Sequence, residues 1–252
     1  MKVIFIAVIL FYTNLVFAQV QLKICTDAST WYPFTFEKDG ISKGIHIDLV
    51  KQACEKLNWR CSFKPLPWKR CLQESFQGKY DAIVSASYTG QRAKHLYYPE
   101  IIVPGVKKSK WRITQLEYIV VTHPSLKYKF TGDLSTLPKP IRAPLGYSIV
   151  DDLREKGIEV LTDQKAETNF IKVIKAKRGS IISPHGTAKL LIDKFNLDAS
   201  TQIHEKPIAS KSYFMPFSKK TKALQKQRIE IWKTIISIRE NQELYNKIIS
   251  SY

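Results

Sequence analysis

The stretch Gly78 to Glu100, GKYDAIVSASYTGQRAKHLYYPE, sets an arginine behind three small hydroxyl residues. Ser85, Ser87 and Thr89 offer hydroxyl donors and acceptors, and Arg92 adds a planar fork of N–H donors that fits a carboxylate or phosphate bidentately. Together they have the chemistry of an anion holder. The flanking residues supply elements to position it. The apolar run Ala82 to Val84 follows the turn residues Gly78 to Asp81, and Gln91, Arg92 and Lys94 open a helix-like segment. A strand running into a helix N-terminus presents free backbone N–H groups and the positive end of the helix dipole to a ligand. Taken alone, the pattern equally describes an ordinary capped helix with an exposed arginine. The remaining elements decide between the two.

Val20 to Thr26 is β-branched and apolar and predicts a first strand, followed by the aromatic loop Asp27 to Phe36, DASTWYPFTF. A helix is expected over Ile45 to Leu57, a strand over Cys61 to Leu66, a helix from Trp68 to Phe76 behind Pro67, and a strand over Ala82 to Ser85. Strands alternating with helices predict βαβ units and parallel pairing. Leu116 to Thr122 reads as an extended connection. A second α/β set follows, with strands at Pro140 to Ala143, Glu159 to Leu161 and Ser180 to Ser183 and helices at Ile149 to Lys156, Glu167 to Ala176 and His185 to Phe195. Pro207 to Phe217 is a second extended run, and Thr221 to Tyr252 reads as helices. Two lobes joined by two extended strands enclose a cleft, a common place for a small ligand.

Met1 to Ala18 has a lone Lys2, a short apolar core and a small-residue end. It predicts a Sec-type leader, export to the periplasm and a mature chain from about Gln19. No cysteine follows the cleavage point, so a lipid anchor is not expected. In an oxidising compartment Cys25, Cys54, Cys61 and Cys71 are expected in disulfides, with three pairings open. Their spacing and the lone His46 do not suit a metal. The formal charge of +18 favours acidic or anionic partners. The basic residues are scattered over Lys107, Lys108, Lys110 and Arg112, then Lys172, Lys175, Lys177 and Arg178, then Lys219 to Lys226. They carry no aromatic ladder, so nucleic-acid binding is not expected.

Five motifs in order, Asp27 with Trp31-Tyr32-Pro33-Phe34, Gly44 to Asp48, Gly78 to Ala82, Ser87 to Arg92 with Tyr97 to Glu100, and Gly146 to Ser148, resemble the bacterial extracellular solute-binding proteins of family 3, the polar amino-acid type. The resemblance spans nearly all of the mature chain. It implies the α/β, two-lobe type II periplasmic binding protein fold, each lobe a mixed, mainly parallel sheet flanked by helices, joined by two hinge strands. Residues 1–18 are then a signal peptide, 19–118 with 208–252 lobe 1, and 119–207 lobe 2. The resemblance gives Arg92 the ligand's carboxylate, with Ser87, Thr89 and Ser85 beside it. It sets Trp31 or Tyr32 against the ligand and Gly146, Tyr147 and Ser148 as the closing turn. Asp27, Tyr88, Trp68 and Arg70 are further cleft candidates. His185 stands where the family places an acid for the ligand's ammonium, which argues against a standard α-amino acid and for a carboxylate lacking the amine or another small anion; the solute is expected to be anionic or zwitterionic.

The implied function is capture of a small carboxylate-bearing solute, an amino acid or related organic anion, by a monomer that needs no cofactor or metal and delivers it to an inner-membrane ABC permease. Two alternatives share the fold: a ligand-sensing protein that signals through a membrane receptor, and an enzyme of the cyclohexadienyl-dehydratase kind. The enzyme would need a general acid or base in the cleft, and the acids expected near it are Asp27, Glu100 and Asp151.

Overall fold

The computed structural model describes residues 19–29, 31–100, 108–163 and 165–252. The expected leader, residues 1–18, and Lys107 lie outside the described residues. In chain order the first half consists of β1 (Gln21–Asp27), β2 (Phe36–Lys38), β3 (Ile41–Lys43), α1 (Ile45–Lys56), β4 (Arg60–Leu66), α2 (Trp68–Phe76), β5 (Ala82–Ile83), β6 (Ala86–Ser87), α3 (Gly90–His95) and β7 (Leu96–Tyr97). The second half consists of β8 (Thr114–Thr122), β9 (Ile141–Pro144), α4 (Ser148–Glu155), β10 (Leu161–Asp163), α5 (Ala166–Ala176), β11 (Ser180–Pro184), α6 (His185–Lys194), β12 (Gln202–Ile203), β13 (Ala209–Phe214), β14 (Phe217–Ser218), α7 (Gln225–Glu240) and α8 (Gln242–Ile249).

These elements form two main sheets. The first has the order β4-β1-β5-β14-β7, the second β10-β9-β11-β8-β13-β6, with β12 on β8. Pairing is parallel where βαβ units follow one another, as in β1 with β4 and β5 and in β9 with β10 and β11. It turns antiparallel where the two long extended segments enter, β8 with β11 and β13, and where β14 returns to β5. The two extended runs read from sequence are therefore adjacent strands, and the chain crosses between sheets on both.

Each sheet is organised by its own apolar side chains. Around the first, Leu22 and Ile24 of β1 meet Ile47, Leu49, Val50 and Ala53 on one face of α1, and Ile231, Trp232 and Ile235 of α7 close the layer. The spacing on α1 is the three-and-four periodicity that turns one stripe of a helix inward. In the second, Tyr118 and Val120 of β8 pack with Ile149, Val150 and Leu153 of α4, while Ile119 and Val121 meet Phe170, Val173 and Ile174 of α5 on the opposite face. Alternation along one strand thus divides the core into two layers.

Two features depart from the sequence reading. The segment Phe36 to Lys43 is a hairpin turned by Asp39 and Gly40, both at positive φ, 55° and 75°. Asp-Gly is a strong two-residue hairpin signal. The strand expected over Glu159 to Leu161 begins at Leu161 and ends at Asp163, because Leu161 to Asp163 is the stretch in register with Arg142 to Pro144.

The disulfides are Cys25–Cys71 and Cys54–Cys61. The first joins β1 to α2 inside the core, and so fixes Asp27 and Trp68, which lie close to its two ends in sequence. It closes a 46-residue separation, the second one of 7. Chain-entropy reasoning gives about 4 and about 2 kcal/mol for the two. Urea unfolding should therefore show Cys25→Ala/Cys71→Ala losing clearly more stability than Cys54→Ala/Cys61→Ala. Equal losses would contradict that order.

Candidate functional site

The ends of β1, β5 and β6 and the N-termini of α2 and α4 converge on a small cavity lined by Asp27, Trp31, Trp68, Ser85, Ser87, Arg92, Tyr147, Ser148 and Tyr213. Thr89 starts the helix that carries Arg92. Its Oγ1 accepts from the Arg92 backbone N–H at 3.1 Å, an N-cap that leaves the guanidinium turned inward, 5% exposed. Arg92 Nη1 donates to the Ser87 carbonyl and to Ser87 Oγ, both at 2.9 Å. Its Nη2 donates across the cleft to Gly146 O at 3.0 Å, and its guanidinium lies 5.2 Å from the Trp68 ring. Tyr98 Oη also donates to the Ser87 carbonyl, at 2.9 Å.

The opposite wall comes from the second sheet. Trp68 Nε1 donates to the same Gly146 carbonyl at 2.8 Å, so two donors from the first half of the chain grip one acceptor of the turn before α4. Gly146 has φ of 78°, and a Cβ there would lie 3.0 Å from Trp68. Glycine fits both the turn and the close approach. Ser87 Oγ and Ser148 Oγ share a hydrogen bond of 2.7 Å, and Lys211 Nζ on β13 donates to Ser148 Oγ at 2.9 Å. Arg92 and Lys211 thus bracket a pair of hydroxyls from both sides. Burial holds the Lys211 amine below the usual lysine range, opposed by Asp152, whose carboxylate lies 2.5 Å from Nζ. The local field favours an anion.

Asp27 supplies the opposite charge. It is 4% exposed and, among the described residues, makes no ion pair; its Oδ1 accepts the Ser29 backbone N–H at 2.9 Å. Burial pushes its pKa up to about 6, against the lowering effect of that hydrogen bond. Two polar atoms of the cavity-lining residues, Trp31 Nε1 and Ser85 Oγ, are buried without a partner. Buried polar groups are normally satisfied, so these two suit a bound molecule's own polar atoms. Ser85 sits at φ 68°, in the left-handed region where a side chain is costly. Ser85→Gly should therefore raise unfolding stability by up to about 1 kcal/mol while weakening solute binding through loss of the hydroxyl. Chemical denaturation alongside calorimetric titration separates the two effects.

The family model for bacterial extracellular solute-binding proteins, family 3, matches residues 22–251. The chain belongs to this family. The family-3 protein is 28% identical over 174 residues to the histidine-binding periplasmic protein of Salmonella typhimurium (strain LT2), a match covering 66% of this chain and 66% of that protein, just under two thirds of its length. The histidine-binding periplasmic protein of Escherichia coli (strain K12) matches to the same extent. In fold it resembles a histidine kinase sensor domain with similarity to periplasmic binding proteins, TM-score 0.75 at 12% identity, covering 93% of this chain and 96% of that one. It also resembles an ancestral arginine-binding protein bound to arginine, TM-score 0.70 at 17% identity, covering 93% and 98%. The fold is the two-lobe, mixed α/β type II periplasmic binding protein fold.

Of the residues singled out from sequence, Arg92, Ser87, Ser85, Asp27, Trp31, Trp68, Tyr147 and Ser148 share the one cavity, and Gly146 contributes its carbonyl to the wall. Thr89 acts as the cap of α3. Tyr88 stacks edge-on against Tyr98, and Tyr32 is half-buried, its hydroxyl bonded to the Tyr252 carbonyl. Arg70 is exposed and pairs with Glu74 one turn on at 2.7 Å. His185 is exposed at the start of α6 and is not among the lining residues. Tyr213 of β13 also lines the cavity, and Lys211 stands behind Ser148; neither is among the residues singled out above. Their i, i+2 spacing on a predicted strand puts both on one face, a usable signal once Tyr213 is placed. Among the described residues no cluster of His, Cys, Asp or Glu could hold a metal.

Proposed function

We propose that this family-3 protein is a periplasmic receptor that closes on a small solute carrying a carboxylate and, at its other end, a cationic or hydrogen-bond-donating group, and delivers it to an ABC-type importer. One observation carries this reading: Arg92 and Asp27, opposite in charge and both nearly inaccessible, line the same cavity with two unpartnered polar atoms between the lobes. Arg92, with Ser87 and Ser85, holds the carboxylate; Asp27 faces the positive or donating end; Trp31, Trp68, Tyr147 and Tyr213 cover the apolar body. The relatives named for histidine binding point to the same class of ligand. Asp27 supplies the acid that the sequence reading sought at His185, so a zwitterion fits better than a simple anion.

Closure follows from differential contacts. The Arg92 and Trp68 donations to Gly146 O and the Ser87–Ser148 bond form only when the lobes meet, so a solute that bridges both walls shifts the population toward the closed state. A thermal-shift screen of L-amino acids and of their deaminated and decarboxylated analogues tests the reading. Zwitterions should raise the melting temperature and the decarboxylated analogues should not. Stabilisation by decarboxylated analogues alone would overturn it.

Likeness in fold to a histidine kinase sensor domain favours a second reading, in which the loaded protein signals through a membrane receptor. A permease and an ATPase encoded beside the protein support uptake, whereas a neighbouring kinase or cyclase supports sensing.

A further inference from the structure

The charge of +18 is far more than a site for one small solute needs, and part of it is concentrated. From Lys206 to Ile229 the chain carries seven basic residues and no acidic one. In the fold, the loop between β14 and α7 brings Lys219, Lys220 and Lys222 together, all exposed, and the first turn of α7 adds exposed Lys226. This loop is seated against two others beside the same sheet. Gly78 approaches Lys220 so closely that a Cβ there would lie 2.7 Å from the lysine's, which brings exposed Lys79 alongside. The Lys219 backbone N–H donates to the His95 carbonyl at 2.9 Å, next to exposed Lys94.

Two nearby acids are already engaged, while Glu230 stands exposed one turn beyond Lys226. Asp81 accepts from the Lys23 backbone N–H at 2.9 Å and the Thr221 hydroxyl at 2.8 Å, and Glu74 is held by Arg70 and Lys79. Two large apolar side chains stand exposed on the same face. Leu224 is 56% exposed beside the lysines, and Tyr97 is 38% exposed, with the Arg228 guanidinium 4.2 Å from its ring and the Lys219 ammonium at 5.9 Å. Basic side chains around an exposed Leu and Tyr can satisfy phosphate headgroups and the headgroup–acyl boundary together. A nucleic-acid face would call for aromatic platforms in series.

We propose that this face, built by the β14–α7 loop, the first turn of α7 and the loops carrying Lys79 and Lys94, rests on an anionic phospholipid surface. It holds the protein near the bilayer independently of the solute cavity.

Flotation of the purified protein with phosphatidylglycerol–phosphatidylcholine vesicles, against vesicles of phosphatidylcholine alone, tests it. Binding is expected only to the anionic vesicles and should be lost at about 1 M salt, where the screening length falls to ~3 Å. Each lysine at such a surface contributes roughly fivefold to partitioning. Lys219→Gln/Lys220→Gln/Lys222→Gln/Lys226→Gln should therefore lower binding at least tenfold, with an unchanged melting temperature. Removing equal charge from exposed second-lobe sites, Lys129→Gln/Lys139→Gln/Lys156→Gln/Lys175→Gln, should leave most of it. Leu224→Gln, which keeps the charge, should weaken binding severalfold. Equal binding to both kinds of vesicle, survival at high salt, or equal losses in the two quadruple variants would overturn the assignment.

Discussion

Arg92→Ala is expected to abolish the thermal stabilisation produced by the cognate solute and to weaken its binding by at least a hundredfold. Hydrogen bonds to a charged group contribute about 1.5 to 3 kcal/mol each, and losing one partner of a buried charged pair costs about 2 to 5 kcal/mol. The guanidinium is 5% exposed, so solvent screens it little. The apo fold should survive the change. Thr89 still caps α3 through the residue-92 backbone, and the Ser87 carbonyl keeps Tyr98 as a donor. Arg92→Lys sharpens the test. An ammonium keeps the charge but cannot reach Ser87, Gly146 and a carboxylate with a planar fork, so binding should fall well below wild type while exceeding that of Arg92→Ala. Isothermal titration of the three proteins decides. Equal affinities would remove Arg92 from the site.

The same residue shows which parts of the molecule can be read in advance. Thr89, Gly90 and Arg92 form a local device: a cap, a helix start and a donor in its first turn, all within four positions, and such devices survive any tertiary context. The two long extended runs were equally legible, because β-branched residues without helical periodicity leave few alternatives for Leu116 to Thr122. The hairpin at Asp39-Gly40 carried its own signal as well. What sequence could not supply is direction across the cleft. A motif position locates His185 at the junction of β11 and α6, but Pro184 as the N-cap and the course of α6 decide that its imidazole stays in solvent. Lys211 was illegible for the converse reason. Its role exists only through Asp152 and Ser148, which reach it from α4 on a different element of the second sheet.

Asp27 gives the other large effect, and its sign can be worked out. With a native pKa of about 6 against an ordinary value of 3.8, the folded protein binds more protons than the unfolded chain between those values. Stability therefore falls as pH rises through that window, and the full penalty, on the order of 3 kcal/mol, is present above pH 6. Asn at this position can still accept the Ser29 N–H and carries no charge to desolvate. Asp27→Asn should thus stabilise the solute-free protein at pH 7 to 8, with the gain disappearing below about pH 4. Solute binding should move the other way. A cationic group facing Asp27 needs the carboxylate ionised, so affinity should drop as pH falls below about 6, approaching tenfold per unit, and Asp27→Asn should bind weakly at every pH. Titrations of wild type and Asp27→Asn from pH 5 to 8 separate the two ends of the ligand. A flat profile shared by both proteins would leave the carboxylate at Arg92 and remove the cation from Asp27.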